Sequence, residues 1–341
     1  MQGVTMALKF AINGFGRIGR CILRAALARN EALDIVAIND LDSPATMAHL
    51  FKYDSVHRTW PAEVTATEHG MKVGDKTFTF TAEKDPTKLP WKSLGVDVVL
   101  ECTGHFTDRE GANKHLAAGA KKVLISAPAK GQDVTIAYGI NHHLYDAAKH
   151  QVLSAASCTT NCLAPVAKVL LDSFGIDKGL MTTIHSYTND QRILDLTHKD
   201  PRRARAAAMS MIPTSTGAAK AIGEVIPALK GKMHGVSVRV PTPNVSLVDL
   251  TVQTSKGVTA EQVNQAMKAA AEGTLKGVLA YSEALTVSVD YNGDPHSAIL
   301  DGTGTFVVEG NLVKVMAWYD NEWGFSNRMV DLAKMLQQKG V

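Results

Sequence analysis

The sequence predicts a two-domain α/β protein. A parallel-sheet domain comes first, and an α+β domain with a largely antiparallel or mixed sheet follows. Three observations carry that expectation. The 341 residues are long for a single core. Short apolar strands alternate with helices through the first half, the texture of βαβ units and a parallel sheet. After Ala164 the apolar residues recur at every second position, the texture of half-exposed strands. The change falls near Val152–Cys158. Domains are therefore expected over 1–157 and 158–321, with a C-terminal helix over 322–341 packing back on the first.

The elements follow in order. "LKFAIN" (Leu8–Asn13) reads as a buried strand, "RIGRCILRAALARN" (Arg17–Asn30) as a helix and "LDIVAIND" (Leu33–Asp40) as a second strand. "TATEHGMKVGDKTFTFTAE" reads as an antiparallel hairpin turning near Gly74–Asp75. "GVDVVLECTG" (Gly95–Gly104) and "KKVLISAP" (Lys121–Pro128) are strands, with a helix between them over Asp108–Ala120. In the second half, "GLMTTIHSYTND", "MHGVSVRVPTPNVSLVDLTVQTS", "LTVSVDYNG" and "LVKVMAWYD" alternate as strands do. "TAEQVNQAMKAAAEGTL" is a helix with Thr259 as N-cap and Gln262 in the capping-box position. "GFSNRMVDLAKMLQQKG" reads as an amphipathic helix ending at Gly340.

Composition excludes several classes. Apolar residues make up 45% and charged residues 20%, ordinary for a soluble protein. A net charge of +3 is too weak to argue for nucleic acid, though it suits a phosphorylated ligand. Four cysteines in this length are no disulfide framework, so a reducing cytoplasm is expected. No apolar run approaches the ~20 residues of a membrane span. The start, "MQGVTMALKF", lacks a charged head and an apolar core, so it is not read as a signal peptide, and Met6 is an alternative start.

"AINGFGRIGRCIL" carries Gly14-x-Gly16-x-x-Gly19 between a strand and a helix, the context that a dinucleotide fingerprint requires. The first glycine permits the turn, the second admits a pyrophosphate, and the third lets helix and strand approach. The helix start offers free N–H groups to phosphate. Asp40 ends the next strand about 20 positions on, where an acid binds a ribose 2′-hydroxyl and disfavours a 2′-phosphate. A Rossmann-type domain preferring NAD to NADP is expected.

"VLSAASCTTNCLAPVAKVL" (Val152–Leu170) places Cys158 where a strand hands over to a helix. Ser157 and Thr159 flank it with hydroxyls. A helix start or a nearby imidazolium lowers a thiol's pKa, so a nucleophile beside a bound anion is the functional reading. Pro165 conflicts with the helix as drawn, at a cost of ~3 kcal/mol in an ordinary interior, so the helix either kinks or starts later. A zinc site at Cys158-x-x-x-Cys162 needs two more ligands at zinc-like spacing, and neither a second cysteine pair nor an H-x₃-H exists. Cys162, Cys21 and Cys102 read as core thiols. His185, at a strand-to-loop junction, suits a base or a satisfied structural histidine equally.

The stretch after His185 is polar and basic, with Arg192, Lys199, Arg202, Arg203 and Arg205. It reads as a solvated face or as phosphate recognition, since guanidinium matches phosphate geometry. Thr216–Gly217 precede a helix and form another candidate anion site. Arg239 lies among apolar strand residues and is expected to meet a carboxylate or a phosphate.

Six motifs in order, "NGFGRIGR", "SCTTNCLAP", "HSYTNDQ", "STGAAKA", "RVPTPNVS" and "WYDNEWGFSNR", resemble phosphorylating glyceraldehyde-3-phosphate dehydrogenase of the bacterial and organellar type, from about Leu8 to Leu336. The resemblance implies that Cys158 is the nucleophile and His185 its base. A hemithioacetal would be oxidised to a thioester, which inorganic phosphate cleaves. It implies Thr188 and Arg239 on the substrate's phosphate, and Ser157, Thr159, Thr216, Gly217 and Arg203 on the attacking phosphate. It implies Gly14, Gly16, Arg17, Ile18, Gly19, Asp40, Lys84 and Ser126 along NAD, and Asn321 on the nicotinamide carboxamide. It further implies that the basic loop is the family's S-shaped loop at a subunit interface of a homotetramer, with no membrane and no specific nucleic acid as partner. One departure is Thr197, where NAD-specific members carry proline; Asp40 and Leu196 still favour NAD. The alternatives are the sister erythrose-4-phosphate dehydrogenase, whose segment after the histidine differs, and a non-catalytic NAD-binding redox regulator, which would have lost the nucleophile, base or anion ligands.

Overall fold

The first strand, β1 (Lys9–Asn13), is buried at every position but its first and lies inside a nine-stranded sheet. The computed structural model describes residues 8–341, so the readings of the N-terminal start and of Met6 lie outside the described residues. After β1 come α1 (Arg17–Ala28), β2 (Asp34–Asn39) and α2 (Pro44–Lys52), then β3 (Val64–Thr67), β4 (Gly70–Val73) and β5 (Lys76–Thr81). The short α3 (Trp91–Leu94), β6 (Val98–Glu101), α4 (Arg109–Ala117), β7 (Lys122–Ile125), β8 (Val134–Thr135) and β9 (Val152–Ser154) complete the sheet. The strand order is β3-β4-β5-β2-β1-β6-β7-β9-β8. Strands β2 and β6 flank β1, both parallel to it. The chain therefore reverses its direction of travel across the sheet at β1, and open parallel sheets bind ligands outside the strand carboxyl ends at such a point.

The second sheet has seven strands. The chain runs through α5 (Cys158–Phe174), β10 (Lys178–Ser186), β11 (Ile212–Ser215), α6 (Ala218–Val225), β12 (Met233–Val240) and β13 (Ser246–Gln253). It continues through α7 (Ala260–Glu272), β14 (Leu279–Ser282), β15 (Ala298–Val308) and β16 (Leu312–Tyr319). The order is β11-β12-β10-β13-β16-β15-β14. The pairs β10/β12 and β14/β15 are parallel and the rest antiparallel, so the sheet is mixed, as expected. Leu163, Val166 and Leu170 of α5, Ile222 of α6 and Met267 of α7 form one core with Val248, Leu250 and Val315 of the strands.

The chain forms two compact units. Residues through Ile136, His143–Ala156 and Ser326–Val341 form one; Ala137–His142 and Ser157–Phe325 form the other. The last helix, α8 (Trp323–Lys339), belongs to the first unit from Ser326 onward. No helix among the described residues is long and apolar enough to cross a membrane.

Several expectations are corrected. The segment "LTVSVDYNG" is not a strand. It is a loop with a single 3₁₀ turn over Ser288–Tyr291, and its alternating Leu285, Val287 and Val289 are exposed. Asp290 closes that turn by accepting from the Val287 N–H, local chemistry that outweighs an alternating pattern with no neighbouring strand. The hairpin is one half of the three-stranded meander β3-β4-β5. Helix α8 is buried on nearly all sides through Leu336 rather than amphipathic. Its buried Asp331 is held by both Arg328 and Arg29. Helix α5 starts at Cys158 and continues through Pro165, so the later start is ruled out. Burial of its residues from Thr159 to Ala167 offsets the lost backbone bond.

Candidate active site

Cys158 is the first residue of α5, and Ser157 is its N-cap, with Ser157 Oγ accepting from the Thr160 N–H at 2.9 Å. Ala156, just before the cap, sits at φ 58, a left-handed conformation that costs a non-glycine residue about 1–3 kcal/mol. The backbone is thus strained where it delivers the thiol. The Sγ of Cys158 lies 3.6 Å from His185 Nε2. His185 comes from β10, which ends at Ser186, so the histidine is inside the strand and buried.

The electrostatics differ from the expectation of a depressed thiol pKa. Burial pushes the Cys158 thiol above its ordinary value, and the Arg239 charge and hydrogen bonds from Thr159 do not offset it. Burial, then Arg239, holds the His185 imidazole down at about 3. Both shifts disfavour charge on the pair, because burial penalises a thiolate and an imidazolium alike.

Arg239 is the register partner of His185 across the parallel β10/β12 pair. Its Nη1 lies 2.8 Å from His185 Nδ1 and 3.0 Å from the Ser186 carbonyl oxygen. Its Nε is buried without a partner. Of the carboxylate or phosphate expected for Arg239, no carboxylate pairs with it among the described residues. Asn321 is buried, and its Oδ1 accepts from the Ser186 and Ser246 hydroxyls, both at 2.8 Å. Thr188 is half-buried two residues beyond the end of β10, its N–H donating to Gln191 Oε1 at 3.3 Å.

Arg202, Arg203 and Arg205 of the basic loop separate clearly. Arg203 donates to Thr214 Oγ1 at 3.0 Å and to the Ser215 carbonyl at 3.3 Å, and it pairs with Asp190. Its charge also acts on His185. Arg205 is exposed and paired with Asp195, and Arg202 reaches only the Pro213 carbonyl at 3.4 Å. Thr216 Oγ1 accepts from the Ala218 N–H, and Gly217 is the N-cap of α6. Thr197 and Leu196 are both exposed.

In the first unit a cleft of ≈ 520 Å³ opens at the carboxyl ends of β1, β2 and β6, lined by Gly14, Gly16, Asp40, Lys84, Thr103 and Phe106 among others. Gly14 has φ +91, and a Cβ there would sit 2.7 Å from the Thr103 backbone nitrogen. Asp40 follows the last residue of β2, and its carboxylate accepts from the Phe15 N–H at 2.7 Å and the Asp42 N–H at 3.1 Å. Arg17 and Ile18 open α1 but do not line the cleft, and Arg17 is paired with Asp54 at 2.7 Å. Gly19 packs against Gly14, and Ser126 follows the end of β7 with its N–H on the Glu101 carbonyl at 2.9 Å. Cys102 is not a core thiol but half-buried in the cleft wall, its pKa raised by burial and by Glu101. Cys21 and Cys162 are buried, the latter 3.7 Å from the Ala317 carbonyl.

Two groups escape a reading of the sequence. Tyr319 lies with its hydroxyl 2.9 Å from Thr159 and 2.8 Å from Thr183, and its ring meets His185 edge-on at 6.0 Å. Its inward place in the alternating "LVKVMAWYD" was the available signal. Beneath the cleft, Glu101 accepts from His115, Asn13 and Thr103, and Trp91 donates to His115 Nδ1 at 3.0 Å. These partners are scattered over the sequence and carry no local pattern.

Residues 8–109 match the NAD binding domain of glyceraldehyde 3-phosphate dehydrogenase, and residues 157–321 match its C-terminal domain. The chain is 61% identical over 333 residues to glyceraldehyde-3-phosphate dehydrogenase 1 of Bacillus cereus, covering 98% of this chain and 99% of that one. It is 60% identical to the Geobacillus stearothermophilus enzyme, covering 98% and 100%, and 58% identical to that of Zymomonas mobilis, covering 97% and 99%. The chain, with its parallel-sheet NAD-binding unit and its mixed-sheet unit carrying a half-buried thiol beside a histidine, belongs to the glyceraldehyde-3-phosphate dehydrogenase family.

Proposed function

We propose that the protein oxidises D-glyceraldehyde 3-phosphate to 1,3-bisphosphoglycerate with NAD and inorganic phosphate. The observation that carries this reading is the 3.6 Å approach of the Cys158 thiol to His185 Nε2. In this reading, residues 1–157 with the C-terminal helix bind the nucleotide and 158–321 carry the chemistry.

The residues of the first unit fit NAD. Gly16 caps α1 without a side-chain hydrogen bond, and a Cβ on it would meet nothing within 4 Å. That leaves the helix N–H groups and the space above them for a pyrophosphate. Asp40 is positioned by two backbone N–H groups to take a ribose hydroxyl, with Lys84 beside it. The two serine hydroxyls fix Asn321 Oδ1, leaving the amide nitrogen for the carboxamide. NAD, when bound, supplies the acceptor for the hydride released on oxidation.

The chemistry of the chain follows. His185 Nε2 takes the thiol proton as Cys158 Sγ bonds to the aldehyde carbon and passes it to the carbonyl oxygen, giving a hemithioacetal. The same nitrogen takes the hydroxyl proton as that carbon is oxidised, leaving a thioester. A phosphate oxygen then attacks the acyl carbon, the C–S bond breaks, and the leaving sulfur takes the proton held on Nε2, restoring the thiol. Arg239, with an unpartnered Nε, and Thr188 hold the substrate's phosphate. Arg203, hydrogen-bonded to both Thr214 and Ser215 of β11, holds the attacking phosphate with Ser157, Thr159, Thr216 and Gly217. Arg17, Ile18, Gly14, Gly19 and Ser126 shape the nucleotide site. We also infer a homotetramer in the cytoplasm; Ile193, Leu194, Met209 and Met211, exposed on the basic loop, suit burial against another copy.

NADH formation from glyceraldehyde 3-phosphate, with and without phosphate, tests the reading in the wild type and Cys158→Ser. Sustained turnover only with phosphate, lost in the variant, is expected. Turnover independent of phosphate would overturn the two-anion assignment. Faster turnover of erythrose 4-phosphate would point to the sister activity.

A further inference from the structure

Glu101 ends β6, and its side chain is wholly buried. Among the described residues no lysine or arginine pairs with it. Its carboxylate is held instead by donors from three segments. Oε2 accepts from Asn13 Nδ2 of β1 at 2.6 Å and from His115 Nε2 of α4 at 3.0 Å. Oε1 accepts from the Thr103 N–H at 2.8 Å and from the Thr103 hydroxyl. A buried anion without a cation is costly unless its lone pairs are used, and four donors use them here.

A carboxylate only accepts, and that fixes the direction of every bond leading away from it. Asn13 turns its amide nitrogen to Glu101, so its Oδ1 accepts from Asn39 Nδ2 at 2.8 Å. Asn39 Oδ1 accepts from the Thr81 hydroxyl at 2.8 Å and from the Glu83 N–H at 2.9 Å, and its Nδ2 donates to the Glu83 carbonyl at 2.9 Å. On the other side, Trp91 Nε1 donates to His115 Nδ1 at 3.0 Å, so the ring's hydrogen sits on Nε2 and faces Glu101. The ladder crosses the neighbouring strands β6, β1, β2 and β5 at their carboxyl ends. Three of its members each precede an expected NAD residue: Asn13 before Gly14, Asn39 before Asp40 and Glu83 before Lys84. All six line the nucleotide cleft, as does Thr103.

We propose that Glu101 is a positioning residue for the cofactor. Its carboxylate orients the ladder, and the ladder holds the three backbone segments that present Gly14, Asp40 and Lys84 to the dinucleotide. The inference deepens the NAD site of the function proposed above and rests on it. An amide of the same shape cannot replace the carboxylate. In Glu101→Gln the new amide nitrogen meets donors whichever way it turns: Asn13 Nδ2 and His115 Nε2 on one side, the Thr103 N–H on the other. Asn13 cannot reverse, because Asn39 is pinned by both backbone groups of Glu83. His115 cannot shift its hydrogen while Trp91 donates to Nδ1. Adding Asn13→Asp reverses one bond. The new amide then donates to a carboxylate that still accepts from Asn39 Nδ2, at a place 3.4 Å from His115 Nε2.

The test is fluorescence titration of the protein with NAD, alongside KM for glyceraldehyde 3-phosphate and for phosphate at saturating NAD. Glu101→Gln should weaken NAD binding about tenfold or more, the cost of a buried donor left unpaired, and leave both substrate KM values within about twofold. Asn13→Asp, which sets two carboxylates face to face, should weaken NAD binding too. The double variant N13D/E101Q should bind NAD at least about threefold tighter than either single variant, whereas independent losses of packing would add. A folded Glu101→Gln with wild-type NAD affinity overturns the proposal. So does a loss of NAD affinity matched by an equal rise in KM for glyceraldehyde 3-phosphate, which is general loosening. A double variant no better than its singles, in thermal unfolding and in NAD affinity, also overturns it, and this arm decides the matter where a single variant fails to fold. NAD binding is read without turnover. A wild type that binds NAD but leaves glyceraldehyde 3-phosphate unoxidised would therefore overturn the proposed function and not the role of Glu101.

Discussion

The hydroxyl of Tyr319 lies 2.9 Å from that of Thr159 and 2.8 Å from that of Thr183, so one buried phenol joins the residue after the thiol to the strand that carries His185. Tyr319→Phe leaves two buried threonine hydroxyls short of a partner. It should cost about 1–3 kcal/mol in urea unfolding. It should also lower kcat by up to ~10²-fold through loosened positioning, with little change in KM. An unchanged kcat would show that the phenol serves stability alone.

Gly16 and Gly19 belong to one motif but have opposite surroundings. A Cβ on Gly19 would sit 2.2 Å from the Gly14 carbonyl oxygen, whereas a Cβ on Gly16 would meet nothing within 4 Å. Gly19→Ala should therefore destabilise the fold by about 1–3 kcal/mol or more through overpacking. Gly16→Ala should fold normally and lose NAD affinity. Thermal unfolding and NAD titration of the two variants separate these outcomes.

Asp40 bears on cofactor choice. Its carboxylate is held by the Phe15 and Asp42 N–H groups in the cleft wall. Asp40→Asn should raise KM for NAD about tenfold, equivalent to ~1.4 kcal/mol, and narrow its margin over NADP. Equal turnover of the wild type with both cofactors would mean that this carboxylate does not discriminate.

The buried imidazole makes stability depend on pH. Its folded-state pKa is about 3, below an unfolded value near 6.5. A base with a depressed pKa contributes stability that is fully present above ~6.5 and is lost as pH falls toward about 3. His185→Asn should lack that component, so its unfolding free energy should fall less steeply than the wild type's between those limits. Paired denaturation series cancel the carboxylates common to both proteins. Parallel slopes would show that the ring does not titrate in this way.

Local order was legible because it is encoded locally. The glycine spacing after β1, the capping box of Thr259 and Gln262 and the seam before Cys158 are each set by a few consecutive residues. Where a pattern lacked its partner, the reading failed. "LTVSVDYNG" alternates but has no neighbouring strand, and β15 was missed because Gly302 and Gly304 break its apolar pattern, although Tyr281 and Met316 pack where their Cβ atoms would be. The resemblance to a known family supplied the identities of the thiol and the histidine, and three-dimensional structure supplied their state.

By itself, the sequence determined the two kinds of sheet, the dinucleotide fingerprint and a thiol at a helix start, because periodicity and capping act over a few residues. Only the tertiary structure decided that Cys158 Sγ meets His185 Nε2, that Arg203 rather than Arg205 faces β11, and that Arg239 reaches both the His185 ring and the Ser186 carbonyl. The His185–Arg239 contact depends on register between strands 54 positions apart, and the other two on how helix and loop pack against the sheet. Desolvation and strand pairing arise only when such segments pack together.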